Sequence, residues 1–94
     1  MHIVYILHSI KLDRYYTGYT SNLDVRLDFH KNADTHKFTY NADDWTVFME
    51  IQCNSKVQGL NIEKHIKAMK SKTYIENLKQ YPEMVEKLVQ KYNC

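Results

Sequence analysis

"HIVYILHSIKLDRYYTGYT", residues 2–20, decides the fold. Residues 2–8 are a run of β-branched and aromatic types, the composition of a strand. Alternation sends Ile3, Tyr5 and Leu7 to one face and Val4 and Ile6 to the other. Both faces are apolar, so this strand is expected at the centre of a sheet with cover on each side. "SIKLD", 9–13, reads as a hairpin loop, and "RYYTGYT", 14–20, as an antiparallel second strand. In that strand Tyr15, Thr17 and Tyr19 point one way, and Tyr16, Gly18 and Thr20 the other.

The rest of the chain supplies cover for such a sheet. "TSNLDVRLDFHKN", 20–32, predicts a helix capped by Thr20 or Ser21, with Asp24 well placed in its first turn. Residues 33–44 are polar and irregular, and "WTVFMEIQ", 45–52, predicts a third strand. A helix over 55–70 follows, capped by Asn54 or Ser55. "KTYIENLKQ" predicts another helix ending before Pro82, and Pro82 opens a terminal helix to residue 92. The order ββαβααα gives an α+β fold, a three-stranded antiparallel sheet flanked by helices. With 94 residues and no linker or low-complexity segment, one domain is expected, its core about 2–80.

Composition bounds the partners. The net charge of +2 does not by itself point to nucleic acid, so any such binding must come from local clusters. Cys53 and Cys94 read as two free thiols in a reducing cytosol. The longest apolar run, "IVYIL", is too short to cross a bilayer, and a cytoplasmic protein with no membrane partner is the expectation. The five histidines, His2, His8, His30, His36 and His65, lack the paired cysteine–histidine spacing of a structural zinc site.

Several polar residues sit where apolar ones are expected. Leu23, Arg26, Leu27 and His30 fall on one helical stripe facing the core, and two of the four are ionisable. A buried arginine needs polar company or a wet cleft. Otherwise Arg26 snorkels to the rim and His30 is a satisfied structural histidine. In the 55–70 helix Glu63 shares a face with Leu60 and Ile66, and Lys67 is placed for an i,i+4 ion pair. Gly59 costs the helix about 1 kcal/mol relative to alanine, a cost that makes sense if another group approaches closely there. Tyr5 and Tyr16 are expected to pair across the hairpin.

Taken together, these residues resemble the GIY-YIG nuclease superfamily. Its two short motifs appear as Ile3-Val4-Tyr5 and Tyr16-Thr17-Gly18, with one hairpin between them. "YTSNLDVRLDFH" is similar to the family's helix carrying an arginine and, four residues on, a histidine or tyrosine, here Arg26 and His30. "NIEKHIKAMKS" is similar to its later helix with the metal-binding glutamate, here Glu63. The likeness runs from residue 3 to about 80 and is greatest to the small stand-alone members. The first motif keeps only its tyrosine, Thr17 replaces the isoleucine of the second, and Tyr19 stands where some members carry a lysine. Lys37, in the loop after the first helix, is a candidate to replace that lysine.

The resemblance implies hydrolysis of DNA phosphodiester bonds with a single divalent cation, Mg²⁺ or Mn²⁺, on Glu63. It implies Tyr5 as general base, Tyr16 orienting water or phosphate, Arg26 on the scissile phosphate, and His30 assisting proton transfer or binding phosphate. A tyrosine with its usual pKa of about 10 needs neighbouring cations to serve as a base near neutrality. Gly18 is read as leaving room for a phosphate or water, and Lys37, Lys67, Lys70 and Lys72 as holding the nucleic-acid backbone. Lysine–phosphate contacts carry no sequence information. Specificity is therefore expected from substrate shape, such as branched or damaged DNA, or from a partner protein, with a role in repair or recombination. The alternative is a nucleic-acid binder of the same fold with weak or no catalysis. RNA as substrate and the oligomeric state stay open.

Overall fold

A computed structural model describes residues 1–31 and 44–93, with the backbone alone for 28–31. The elements run β1 (His2–Ser9), β2 (Arg14–Thr20), α1 (Leu23–Lys31), β3 (Thr46–Cys53), α2 (Lys56–Met69), α3 (Lys72–Gln80) and α4 (Pro82–Lys91). This is the expected ββαβααα order, and the strands form an antiparallel sheet ordered β2-β1-β3. Among the described residues, no helix is long and apolar enough to cross a membrane.

The alternation along β1 builds two cores. Val4 and Ile6 face α2, α3 and α4, joining Ile51, Ile62, Ile66, Ile75, Leu78 and Leu88. Ile3, Tyr5 and Leu7 face the other way and meet Tyr16, Leu23, Leu27 and Trp45. The five residues Ile3 to Leu7 are at most 2% exposed, as a strand covered on both sides requires. A bulge in β3 enlarges the first core. Ile6 pairs with Met49 and Leu7 with Val47, so Phe48 is the extra residue. Consecutive Phe48 and Met49 can then pack on the same side.

Local chemistry sets the corners. The β1–β2 hairpin turns through residues 10–13, with Asp13 at φ 50°, a left-handed conformation that aspartate tolerates. Asp44, two residues before β3, clamps this turn. Its carboxylate accepts from the Ser9 hydroxyl at 2.6 Å and from the Lys11 amide at 2.9 Å. The cap of α1 is Asn22, not Thr20 or Ser21. The Asn22 Oδ1 accepts from the Val25 amide at 3.3 Å, while Thr20 Oγ1 accepts from the Asn22 amide and shapes the entry. Ser55 caps α2 and Ser71 caps α3, accepting from the Gln58 and Tyr74 amides. Lys70, at φ 48°, makes the sharp α2–α3 corner.

α4 is bound into the domain by polar groups as well as by Leu88. Gln58 is fully buried; its side-chain oxygen accepts from the Asn54 amide and its nitrogen donates to the Val89 carbonyl at 2.7 Å. His65 Nδ1 and the Tyr92 hydroxyl lie 2.9 Å apart.

Candidate active site

The centre of β1 carries Tyr5, which is 0% exposed and faces α1. Its partner in β2 is Gly18. A Cβ built on Gly18 would fall 2.5 Å from the Tyr5 Cζ and 2.9 Å from its Cε1. The phenol ring of Tyr5 thus lies across Gly18. The space left by the absent side chain is filled by the ring, not by a phosphate or a water as the sequence suggested. The absent side chain at Gly18 makes room for the Tyr5 ring.

Tyr16, two residues before Gly18 on the same face, is half-buried. It sits diagonally from Tyr5, because Tyr16 pairs with Leu7, and the two rings are 6.4 Å apart and tilted by 36°. From α1, one turn after Leu23, the Arg26 Nε donates to the Tyr5 hydroxyl at 3.1 Å. Leu23 and Leu27 pack into the core on either side, so the helical stripe delivers Arg26 to the phenol. The polar company that a half-buried arginine requires is the tyrosine pair.

Glu63 arrives from α2, the helix on the opposite face of the sheet. α2 lies over the β2 edge, and its Lys67 Nζ reaches to 5.8 Å from the Tyr16 ring centre. Lys67 also pairs with Glu63 at 3.0 Å, the expected i,i+4 contact, with the Glu63 side chain only 19% exposed. The buried stripe of α2 is Gln58, Gly59, Ile62 and Ile66, whereas Leu60 is 40% exposed. Glu63 therefore borders the core at the sheet edge, and does not share a buried face with Leu60. The close approach anticipated at Gly59 is made by Tyr19. A Cβ there would lie 2.6 Å from the Tyr19 Cδ1 and Cε1.

Tyr19 is committed elsewhere. It faces α2, away from Tyr5, and its hydroxyl lies 2.7 Å from His2 Nδ1. His30 is in α1, one turn beyond Arg26, but its side chain and all of Lys37 lie outside the described residues. Cys94 does too, while Cys53 is a half-buried free thiol, its pKa pushed up by burial. Lys70 and Lys72 lie at the α2–α3 corner, with Lys72 bonded to Asp13 at 2.9 Å. Arg14, at the start of β2, borders the same corner and was not singled out in the sequence. Its proximity to the lysines depends on how α2 crosses β2.

The electrostatics of Tyr5 are a contest. Burial raises its pKa above the ordinary tyrosine range. The Arg26 hydrogen bond and charge lower it, but the Tyr16 and Glu63 charges oppose them, and the balance stays raised. The neutral phenol therefore dominates at neutral pH; Arg26 favours the phenolate, as expected of a neighbouring cation, but does not outweigh burial. Arg26 is held still more firmly in its charged form, chiefly by the bond to Tyr5.

Glu63 is an oxygen donor of the kind that suits a hard cation, and its ion-pair partner Lys67 reaches toward the Tyr16 ring. Among the described residues no three His, Cys, Asp or Glu side chains converge. A cation here would take one carboxylate and complete its shell with water and substrate oxygens, the habit of Mg²⁺.

Neither the curated proteins nor the solved structures give a match to the chain. The family model described as the GIY-YIG catalytic domain matches residues 1–77, which include Tyr5, Tyr16, Arg26 and Glu63. The fold is of nuclease type, in a family whose members generally use divalent metal ions, and the chain belongs to the GIY-YIG family.

Proposed function

We propose that the protein is a metal-dependent DNA endonuclease that hydrolyses phosphodiester bonds, acting in repair or recombination from a reducing cytosol. The observation that supports this reading is the contact of Arg26 with Tyr5 beside the Tyr16 ring, with Glu63 on α2 paired to the Lys67 that reaches Tyr16. Arg26 binds the scissile phosphate and offsets the charge that develops on it. Tyr16 orients the attacking water by hydrogen bond. The water oxygen bonds to phosphorus while its proton passes to the phenolate form of Tyr5; the P–O bond to the leaving group breaks, and the departing alkoxide takes a proton from solvent. His30, one turn from Arg26, assists proton transfer or binds phosphate. A divalent cation held by Glu63 supplies positive charge to the phosphate and favours ionisation of nearby hydroxyls.

The test is cleavage of plasmid and branched DNA with Mg²⁺ or Mn²⁺, against EDTA and against Glu63→Ala. Metal-dependent nicking lost in Glu63→Ala supports the reading. The second reading, a DNA binder without catalysis, is favoured by the raised Tyr5 pKa and by the Glu63–Lys67 pair. Tight binding with no cleavage under either metal selects it.

A further inference from the structure

Lys67 stands between two parts of the candidate site. Its ammonium is 3.0 Å from a Glu63 carboxylate oxygen and 5.8 Å from the Tyr16 ring centre. Both contacts follow from one placement. Position 67 is one helical turn after Glu63, and α2 packs over the β2 strand that carries Tyr16. The Tyr16 ring in turn neighbours that of Tyr5. A divalent cation that serves both Glu63 and the tyrosines must therefore displace the ammonium.

The two partners differ in freedom. The Glu63 side chain is 19% exposed and borders the core, whereas that of Lys67 is 52% exposed. Charge pairs at this helical spacing are weak, and a lysine stem swings easily. There is also room for it to move. Lys67 lines a cavity of about 440 Å³ between β2 and the α2–α3 corner. Arg14, Lys70 and Lys72 line the same cavity, and among the described residues no aspartate or glutamate does. An ammonium that leaves Glu63 thus joins a cationic rim and finds no second carboxylate there.

We infer that Lys67 is a displaceable counter-ion of Glu63. It neutralises the carboxylate while the site holds no divalent cation, and a cation enters only by expelling it toward the cavity. Lys67 thereby sets the affinity of the site for its cation. This rests on the nuclease reading for the choice of cation, but the exchange is measured without cleavage.

The first part of the test counts free Mn²⁺ by electron paramagnetic resonance as the protein is titrated, with no DNA present. Lys67→Met keeps an unbranched apolar stem and removes the charge. Its Mn²⁺ affinity should rise roughly five- to tenfold, the factor by which a unit charge several ångströms away disfavours a divalent ion in water. Lys67→Arg keeps the charge and should bind no tighter than the native protein. Lys64→Met removes the same charge from an exposed position beside Glu63 and should tighten binding less than about twofold. Glu63→Gln should abolish the gain of Lys67→Met. Thermal melts verify that each variant folds. Unchanged or weaker binding in Lys67→Met would make Lys67 a support of Glu63 and overturn the inference. So would equal gains in Lys67→Met and Lys64→Met, or no binding by either the native protein or Lys67→Met at millimolar Mn²⁺.

A carboxylate has two oxygens, so the second part separates exchange from sharing. In protein carrying ¹³C-labelled lysine and glutamate, the Lys67 Cε signal should move as Mg²⁺ saturates Glu63, and should stay in place in Glu63→Gln. A Lys67 signal that does not move while the Glu63 carboxyl carbon shifts would overturn the exchange. Tighter Mn²⁺ binding in Lys67→Met, by a protein that never cleaves DNA, would sink the nuclease reading alone. Metal-dependent cleavage with a Mn²⁺ affinity that Lys67→Met leaves unmoved would sink the counter-ion alone.

Discussion

Gly18→Ala tests how the candidate site is assembled. The new Cβ would stand 2.5 Å from the Tyr5 Cζ and 2.9 Å from Cε1. Carbon atoms normally pack at about 3.5–4.0 Å, so the ring must retreat by roughly 1 Å. It has little room, because Tyr5 is fully buried among Ile3, Leu7, Leu23, Leu27 and Trp45. Overpacking of this kind costs about 1–3 kcal/mol. Alanine recovers about 0.4–1 kcal/mol by restricting the unfolded chain. A net loss of about 1–2 kcal/mol is expected in urea denaturation. Activity should fall further than stability. The Arg26–Tyr5 bond at 3.1 Å does not survive a shift of that size, and misplacements near 1 Å can cost about 10²-fold in rate. The control is the residue that causes the clash. In Tyr5→Phe the hydroxyl is gone and the penalty for Gly18→Ala should shrink; in Tyr5→Leu, which lacks the far ring atoms, it should nearly vanish. A penalty unchanged across these backgrounds to within about 0.5 kcal/mol would refute a clash with Tyr5 and leave a backbone effect.

Three further outcomes follow from the same contacts. Because the Tyr5 pKa is raised, its basic form grows with pH throughout the range below 10, so a cleavage rate limited by chemistry should climb about tenfold per pH unit between 7 and 9; a flat profile rules out Tyr5 as base. Asp44 is held below the usual carboxylate range by the Ser9 hydroxyl and the Lys11 amide, so its contribution to stability is present above the unfolded pKa of about 3.9 and lost as pH falls through the lower folded value. Melting temperatures between pH 5 and 2.5 should therefore drop less steeply for Asp44→Asn than for the native protein. Gly59→Ala, worth about +1 kcal/mol by helix propensity, should destabilise here because the Tyr19 ring occupies that space, and should become stabilising in a Tyr19→Ala background, as read by urea midpoints.

What could be read in the sequence was whatever a local period encodes. The division of Ile3, Tyr5 and Leu7 from Val4 and Ile6 came from alternation, and Pro82 marked the start of α4. Gly59 declared a close approach by its helix penalty, but not that Tyr19 would make it. What stayed hidden depends on pairing between distant segments. The bulge at Phe48 appears only when β3 is set against β1. The occupant of the space at Gly18 appears only in the register that pairs it with Tyr5. Leu60 misled because helical spacing gives neighbours on a cylinder, while the sheet decides which arc is buried. The balance at Tyr5 is likewise tertiary: burial and the Arg26 contact pull in opposite directions, and neither is a property of residues 3–5.

The polar anchors of α4 separate two kinds of boundary. Family likeness ends at residue 77, inside α3, yet the Gln58 amide reaches the Val89 carbonyl, Tyr92 meets His65, and Leu78 and Leu88 complete the core. A protein trimmed to the matched region would leave a buried amide without its acceptor and an apolar face open to water, each a cost of about 1–3 kcal/mol. The matched region is thus shorter than the unit that packs together. α2, which carries Glu63 at its middle, is held from behind by residues that lie beyond the matched region.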